Sequence, residues 1–296
     1  MTENTLADSQ DVPTLKSVEQ DSVHGSAWIS LRALEVLRHR AAELDSDNAD
    51  DERVRDELDE LAGQLSTART AMISIGNRVR RFQKRAADLE SSAGASLAAG
   101  MAQLADELLA EARDAEERAS QHAAALLAGK CVFTLSRSST VVNAILTAQP
   151  PPRVVVAESL PGGEGTDVAN ELAETGIDVT VIPDAVVAAV FSQTWRPPVD
   201  LMLVGADTVA SNGDVVNKSG TRIGALAAQR AGVPCYAVLT TDKISRDPDF
   251  AFKETGLSAP SSPGKPKRIE PVFEITPAEL FTGLITEDGV TRISEG

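Results

Sequence analysis

Asp207 is the residue on which chemistry is most readily built. It follows Gly205-Ala206 directly after the apolar run Val199 to Val204. That run has strand length, so the carboxylate stands at a strand's carboxyl end, where open α/β sheets collect their ligands. A carboxyl there can give or take a proton. Ser211-Asn212-Gly213-Asp214 reads as a turn. Asn217-Lys218-Ser219-Gly220-Thr221 then opens an amphipathic run, Ile223 to Arg230, gathering polar side chains and free N–H groups at a helix start. Such an end attracts anions, phosphate among them. A GxxxxGKS/T phosphate loop is absent. A buried strand with a solvated cap and an incidental aspartate explains the same spacing, so both readings stand at this point.

Other strand ends carry comparable polar density. Thr134, Ser136, Arg137, Ser138, Ser139 and Thr140 lead into the helical run Val141 to Leu146. Hydroxyls, a guanidinium and helix N–H groups meet there, and capping alone accounts for one hydroxyl rather than for all of them. Glu158-Ser159-Leu160-Pro161-Gly162-Gly163-Glu164-Gly165 follows the next strand, with glycines that let a ligand approach the backbone. Pro183-Asp184 reads as a helix start, and Thr241-Asp242-Lys243 ends a fifth strand.

The strands expected to hold these turns are Cys131 to Leu135, Arg153 to Ala157, Asp178 to Ile182, Val199 to Val204 and Pro234 to Leu239, alternating with amphipathic helices. This rhythm predicts a mostly parallel sheet from residue 130 onward. Before it, the periodicity predicts helices from Ser26, from about Leu58 through Leu89, and over Gly94 to Leu127. The division expected is a loose arm over 1–20, a helical domain over 21–129 and the α/β domain over 130–296. Ala251 to Arg268, rich in Ser, Pro, Lys and Gly, reads as an excursion from the fold. A strand over Val272 to Ile275 and a short helix with Pro277 at its first position follow.

The chain of 296 residues is 42% hydrophobic, enough for a sizeable core, and its net charge is −16. So acidic a surface suits a high-salt cytoplasm and opposes direct binding to nucleic acid or anionic membrane. The one basic concentration, Arg78, Arg80, Arg81, Lys84 and Arg85, reads as a solvated helix face. Cys131 and Cys235 lie in apolar runs, as reduced core thiols do. Neither a secretory h-region nor a membrane-length apolar run is found, so a cytoplasmic protein is expected.

The ordered set Val23-His24-Gly25-Ser26-Ala27, Thr134 to Thr140, Glu158-Ser159 with Gly165, Asp184-Ala185, Gly205-Ala206-Asp207, Asn217-Lys218 with Gly220-Thr221, and Lys243 resembles the initiation factor 2B alpha/beta/delta family. That family also holds ribose-1,5-bisphosphate and methylthioribose-1-phosphate isomerases. The resemblance implies a helical N-terminal domain followed by a Rossmann-like domain, dimerisation through the latter, and a sugar-phosphate or nucleoside-monophosphate pocket. It implies catalytic roles for Asp207 and for residue 136, where the isomerases carry a cysteine and this chain has Ser136. It implies ligand contacts from His24, Gly25, Ser26, Thr134, Arg137, Ser138, Ser139, Glu158, Gly165, Asn217, Lys218 and Lys243, with neither metal nor cofactor. A serine hydroxyl is too weak an acid to shuttle protons near neutrality unless a base such as His24 assists it. Leu160 also replaces an isomerase arginine. The expectation is therefore a regulatory-subunit-like homodimer or higher oligomer that binds a phosphorylated ligand without isomerising it, with a translation-factor partner open. The alternative is an aldose–ketose isomerase.

Overall fold

In the computed structural model, which describes residues 12–21, 24–69, 72–91, 95–248, 250, 252, 256–258 and 269–292, Thr14 and Ser17 cap each other's backbone N–H groups. This reciprocal cap starts α1 (Leu15–Glu19), whose Val18 is fully buried. Arg69 donates to the carbonyls of Val18, Glu19 and Asp21 and so closes the other end. The loose arm expected over 1–20 is thus wrong for Leu15–Glu19, while residues 1–11 lie outside the described residues.

The chain divides into two units, one drawn from Met1–His24, Trp28–Thr70 and Ile75–Ala110, the other from Gly25–Ala27, Ala71–Ser74 and Glu111–Gly296. The first holds α1, most of α2 (Ser26–Ser46), α3 (Asp51–Thr67), most of α4 (Ile73–Ala86) and the first part of α5 (Leu97–Leu127). Val54, Leu58, Ala62 and Leu65 on α3, and Ile75, Val79, Phe82 and Ala86 on α4, repeat at helical spacing and are buried. The single helix read from Leu58 through Leu89 is two, since α3 ends at Thr67 and Arg69 turns away to the end of α1. The basic run on α4 is mixed: Arg78 is buried, Arg80 donates to Asn77, and Arg85 pairs with Glu107.

The second unit is built on β1 (Cys131–Leu135), α6 (Ser139–Thr147), β2 (Arg153–Ala157), α7 (Glu164–Glu174), β3 (Val179–Ile182) and β4 (Leu201–Val204). It continues through β5 (Thr208–Val209), β6 (Val215–Lys218), α8 (Thr221–Ala231), β7 (Cys235–Val238), β8 (Gly256–Ser258), β9 (Ile269–Pro271), β10 (Phe273–Thr276), β11 (Gly283–Thr286) and β12 (Gly289–Arg292). The main sheet runs β12-β11-β7-β4-β1-β2-β3, parallel throughout except for the β11–β12 hairpin. Alternate strand residues face opposite cores. Phe133, Leu135, Met202 and Val204 meet Ala225 and Ala228 of α8, whereas Val132, Val154, Leu201 and Leu203 meet α6, α7 and the second half of α5. Both faces are covered, which is why the strands read as continuous apolar runs. The mostly parallel α/β architecture expected from the sequence is therefore present.

Two local readings differ. The third strand is followed by a 3-10 turn over Asp184–Phe191 rather than by an α-helix. The fourth is followed by the β5–β6 hairpin, so Asn217 and Lys218 end a strand instead of opening a helix. Most of Ala251 to Arg268 lies outside the described residues. Cys131 and Cys235 are free and buried, and burial lifts both thiols above their ordinary range. Among the described residues, no helix is long and apolar enough to cross a membrane.

Candidate site at the strand ends

Taking only the parallel strands, the order is β3-β2-β1-β4-β7-β11, a doubly wound arrangement with β1 and β4 adjacent at the centre. The helix after β1 covers one face and α8 covers the other, so the crevice outside these two strand ends is the topological switch point. The turn bearing Ser136 and the turn bearing Asp207 both leave the sheet there. They are packed closely: a Cβ on Gly205 would fall 2.7 Å from the Cβ and Oγ of Ser138. Ser138 in turn caps α6, accepting from Val141 N at 3.4 Å.

Asp207 keeps partial exposure in this crevice, and two lysines converge on it. Lys243, buried in the 3-10 turn Thr241–Lys243 after β7, donates through Nζ to the Ala206 carbonyl at 2.9 Å. Lys218, also buried, donates through Nζ to Glu164 Oε1 at 2.7 Å. Burial pushes the Asp207 carboxyl above the usual carboxylate range, against the pull of Lys243, a hydrogen bond from Ser26 and the charge of Lys218. The shift favours the protonated form, from which the carboxyl can give a proton. Glu164 keeps its second oxygen, Oε2, buried with no partner among the described residues. Asn217 is held by Thr221, whose hydroxyl accepts from Asn217 Nδ2 at 3.0 Å and donates to the Lys218 carbonyl at 2.7 Å.

The remaining sequence candidates divide. Ser26, Thr134, Ser138, Asn217, Lys218 and Lys243 are buried or half-buried at these strand ends. A Cβ on Gly25 would lie 3.6 Å from the Arg137 carbonyl, so its backbone passes over the same turn. Glu158 is half-buried, its N–H donating to Ile182 O and its carbonyl accepting from Gly165 N. The Arg137 guanidinium is exposed and pairs with Glu171 of α7 at 2.8 Å. Ser139 is exposed at the start of α6. His24 belongs to the other unit, where it stacks on Trp28 at 3.7 Å and bonds Asp21 through Nδ1 at 2.7 Å.

The anion-seeking start of α8 is filled from within the chain. Glu274 of β10 accepts from Gly220 N at 2.7 Å and from Arg222 N at 3.0 Å. The helix start that the spacing offered to phosphate therefore already holds a carboxylate. Glu274, with Asp184 and Ser159, was not singled out as functional by spacing, because its partner lies 52 to 54 positions away. Among the described residues, no group of acidic, histidine or cysteine side chains is arranged to hold a metal ion.

A family model described as the initiation factor 2 subunit family matches residues 22–292. A ribose 1,5-bisphosphate isomerase of Haloferax volcanii is 29% identical over 290 residues, covering 93% of this chain and 87% of that protein. A methylthioribose-1-phosphate isomerase of Gemmatimonas aurantiaca is 33% identical over 268 residues, covering 84% and 76%. The crystal structure of a translation initiation factor eIF-2B from Pyrococcus horikoshii aligns with a TM-score of 0.78 at 26% identity, covering 94% of this chain and 95% of that one.

Proposed function

Since the chain belongs to the initiation factor 2 subunit family, we propose that it is an aldose–ketose isomerase acting on a ribose-type sugar phosphorylated at C1. Asp207 carries the proposal, as a carboxyl in the switch-point crevice that is held above its ordinary range beside Lys243 and Lys218. Protonated Asp207 gives its proton to the ring oxygen as the C1–O bond breaks. The hydrogen on C2 moves to C1 with its electron pair, and the carboxylate recovers a proton from the C2 hydroxyl as the ketone forms. The proton count closes on one residue, with no thiol required. Lys218 and Lys243 steady the carboxylate while it exists.

Relatives named as isomerases at 29% and 33% identity support this reading over the binding-only one expected from the sequence. The second reading, a regulatory-subunit-like protein that binds the phosphorylated sugar, rests on Ser136, which lacks the acidity of the isomerase thiol, and on Leu160 in place of the isomerase arginine. Incubation with ribose 1,5-bisphosphate and with methylthioribose 1-phosphate separates them. Ketose formation followed by NMR is expected. A rise in melting temperature without product would favour binding alone, and neither response would remove both readings. We also propose a homodimer, implied by the resemblance; a monomeric mass by light scattering would reject it.

A further inference from the structure

We infer that Ser159 and Asp184 are positioning residues that fix the turn carrying residue 136, through a hydrogen-bond chain joining the ends of β1, β2 and β3. Ser136 and Ser159 both stand in the left-handed region, with φ of 57° and 64°. Serine is strained there and glycine is not. Glycine would fill either turn with less backbone strain, so the question is what the serine side chain adds.

Ser159 shows what it adds. It is buried, and its Oγ accepts from Ser136 N at 2.7 Å while donating to the Ala157 carbonyl at 3.0 Å. With its proton directed at the Ala157 carbonyl, a lone pair is free to accept from Ser136 N. Ser159 is itself held by Asp184, whose Oδ1 accepts from Ser159 N at 2.8 Å and whose Oδ2 accepts from Leu160 N at 2.7 Å. The carboxylate after the third strand therefore sets the second turn, and the second turn sets the first. Gly165 closes the assembly, since a Cβ there would lie 1.8 Å from the same Ala157 carbonyl and 3.1 Å from Ser159 Oγ.

The inference rests on the isomerase reading only for its activity arm. Ser159→Gly removes the acceptor and relieves the backbone strain, so the variant should fold. In a Ser136→Cys background, the alkylation rate of the new thiol by iodoacetamide at fixed pH reports the turn directly, since Cys131 and Cys235 are buried. Adding Ser159→Gly should change that rate by about 3- to 10-fold at unchanged circular dichroism. Asp184→Asn, which keeps one acceptor oxygen, should give an intermediate change. Equal rates in all three proteins would overturn the inference. With Ser136 in place, Ser159→Gly should lower kcat about 10- to 100-fold with KM nearly unchanged. Absence of turnover in the parent would remove the isomerase reading while leaving the alkylation comparison decisive.

Discussion

Replacing Asp207 by asparagine should abolish most turnover, by about 10² to 10⁴-fold, and yet raise the melting temperature at pH 7. The first effect is the removal of the group that moves both protons, worth roughly 3–5 kcal/mol of barrier. The second follows from linkage. Burial is the largest influence on this carboxyl and lifts it above the ordinary value of 3.8. The folded protein then binds the proton more tightly than the unfolded chain, so stability falls as pH rises from 3.8 through the raised folded value. Asparagine carries no such penalty. Its advantage should grow as pH rises from 3.8 through the raised folded value and should close below pH 3.8, where both states are protonated. Thermal melts from pH 4 to 8 read it; a variant less stable than the parent at pH 7 would mean that attraction to Lys243 and Lys218 outweighs desolvation.

Gly165→Ala should be the most damaging single methyl in the α/β unit. Its Cβ would sit 1.8 Å from the Ala157 carbonyl oxygen and 3.0 Å from its carbon, both backbone atoms at the end of β2. Neither can turn aside as a side-chain tip would, so the start of α7 must shift away from the strand. Overpacking against backbone should cost about 3 kcal/mol or more. The midpoint of urea unfolding measures the loss, and a variant within about 1 kcal/mol of the parent would show that α7 slides freely. Lys218 should be disturbed as well, since Glu164, its partner, opens the same helix.

Most of the α/β fold and the place of Asp207 were legible in the sequence, for a local reason. Strands covered on both faces appear as unbroken apolar runs, and polar residues crowd only where those runs stop. What escaped was non-local. Asn217 and Lys218 look like a helix start because a strand partner some 55 positions later leaves no local trace, although Lys218 pairs with Phe273 and Asn217 with Glu274. Glu274 escaped for the same reason, as did the chain from Asp184 through Ser159 to Ser136. The Arg137 pairing was not legible either: a residue type shows that a guanidinium is available, but not that Glu171, 34 positions later, is its partner. The His24 contacts with Trp28 and Asp21 were likewise beyond reach of spacing.

The pairing of β6 with β10 also bears on how the protein is made. Strand β5 reaches only Val215 and Val216, whereas Asn217 and Lys218 find their ladder partners solely in Phe273 and Glu274. During synthesis the chain through α8 can leave the ribosome with the last two residues of β6 unmatched and the first N–H groups of α8 uncapped. Loop closure must be completed before either is satisfied. The lysine that pairs with Glu164 thus takes its final place late, so a truncated product ending before Phe273 should retain the β1–β2–β3 edge while lacking an ordered Lys218. The crevice is assembled from the tail end of translation.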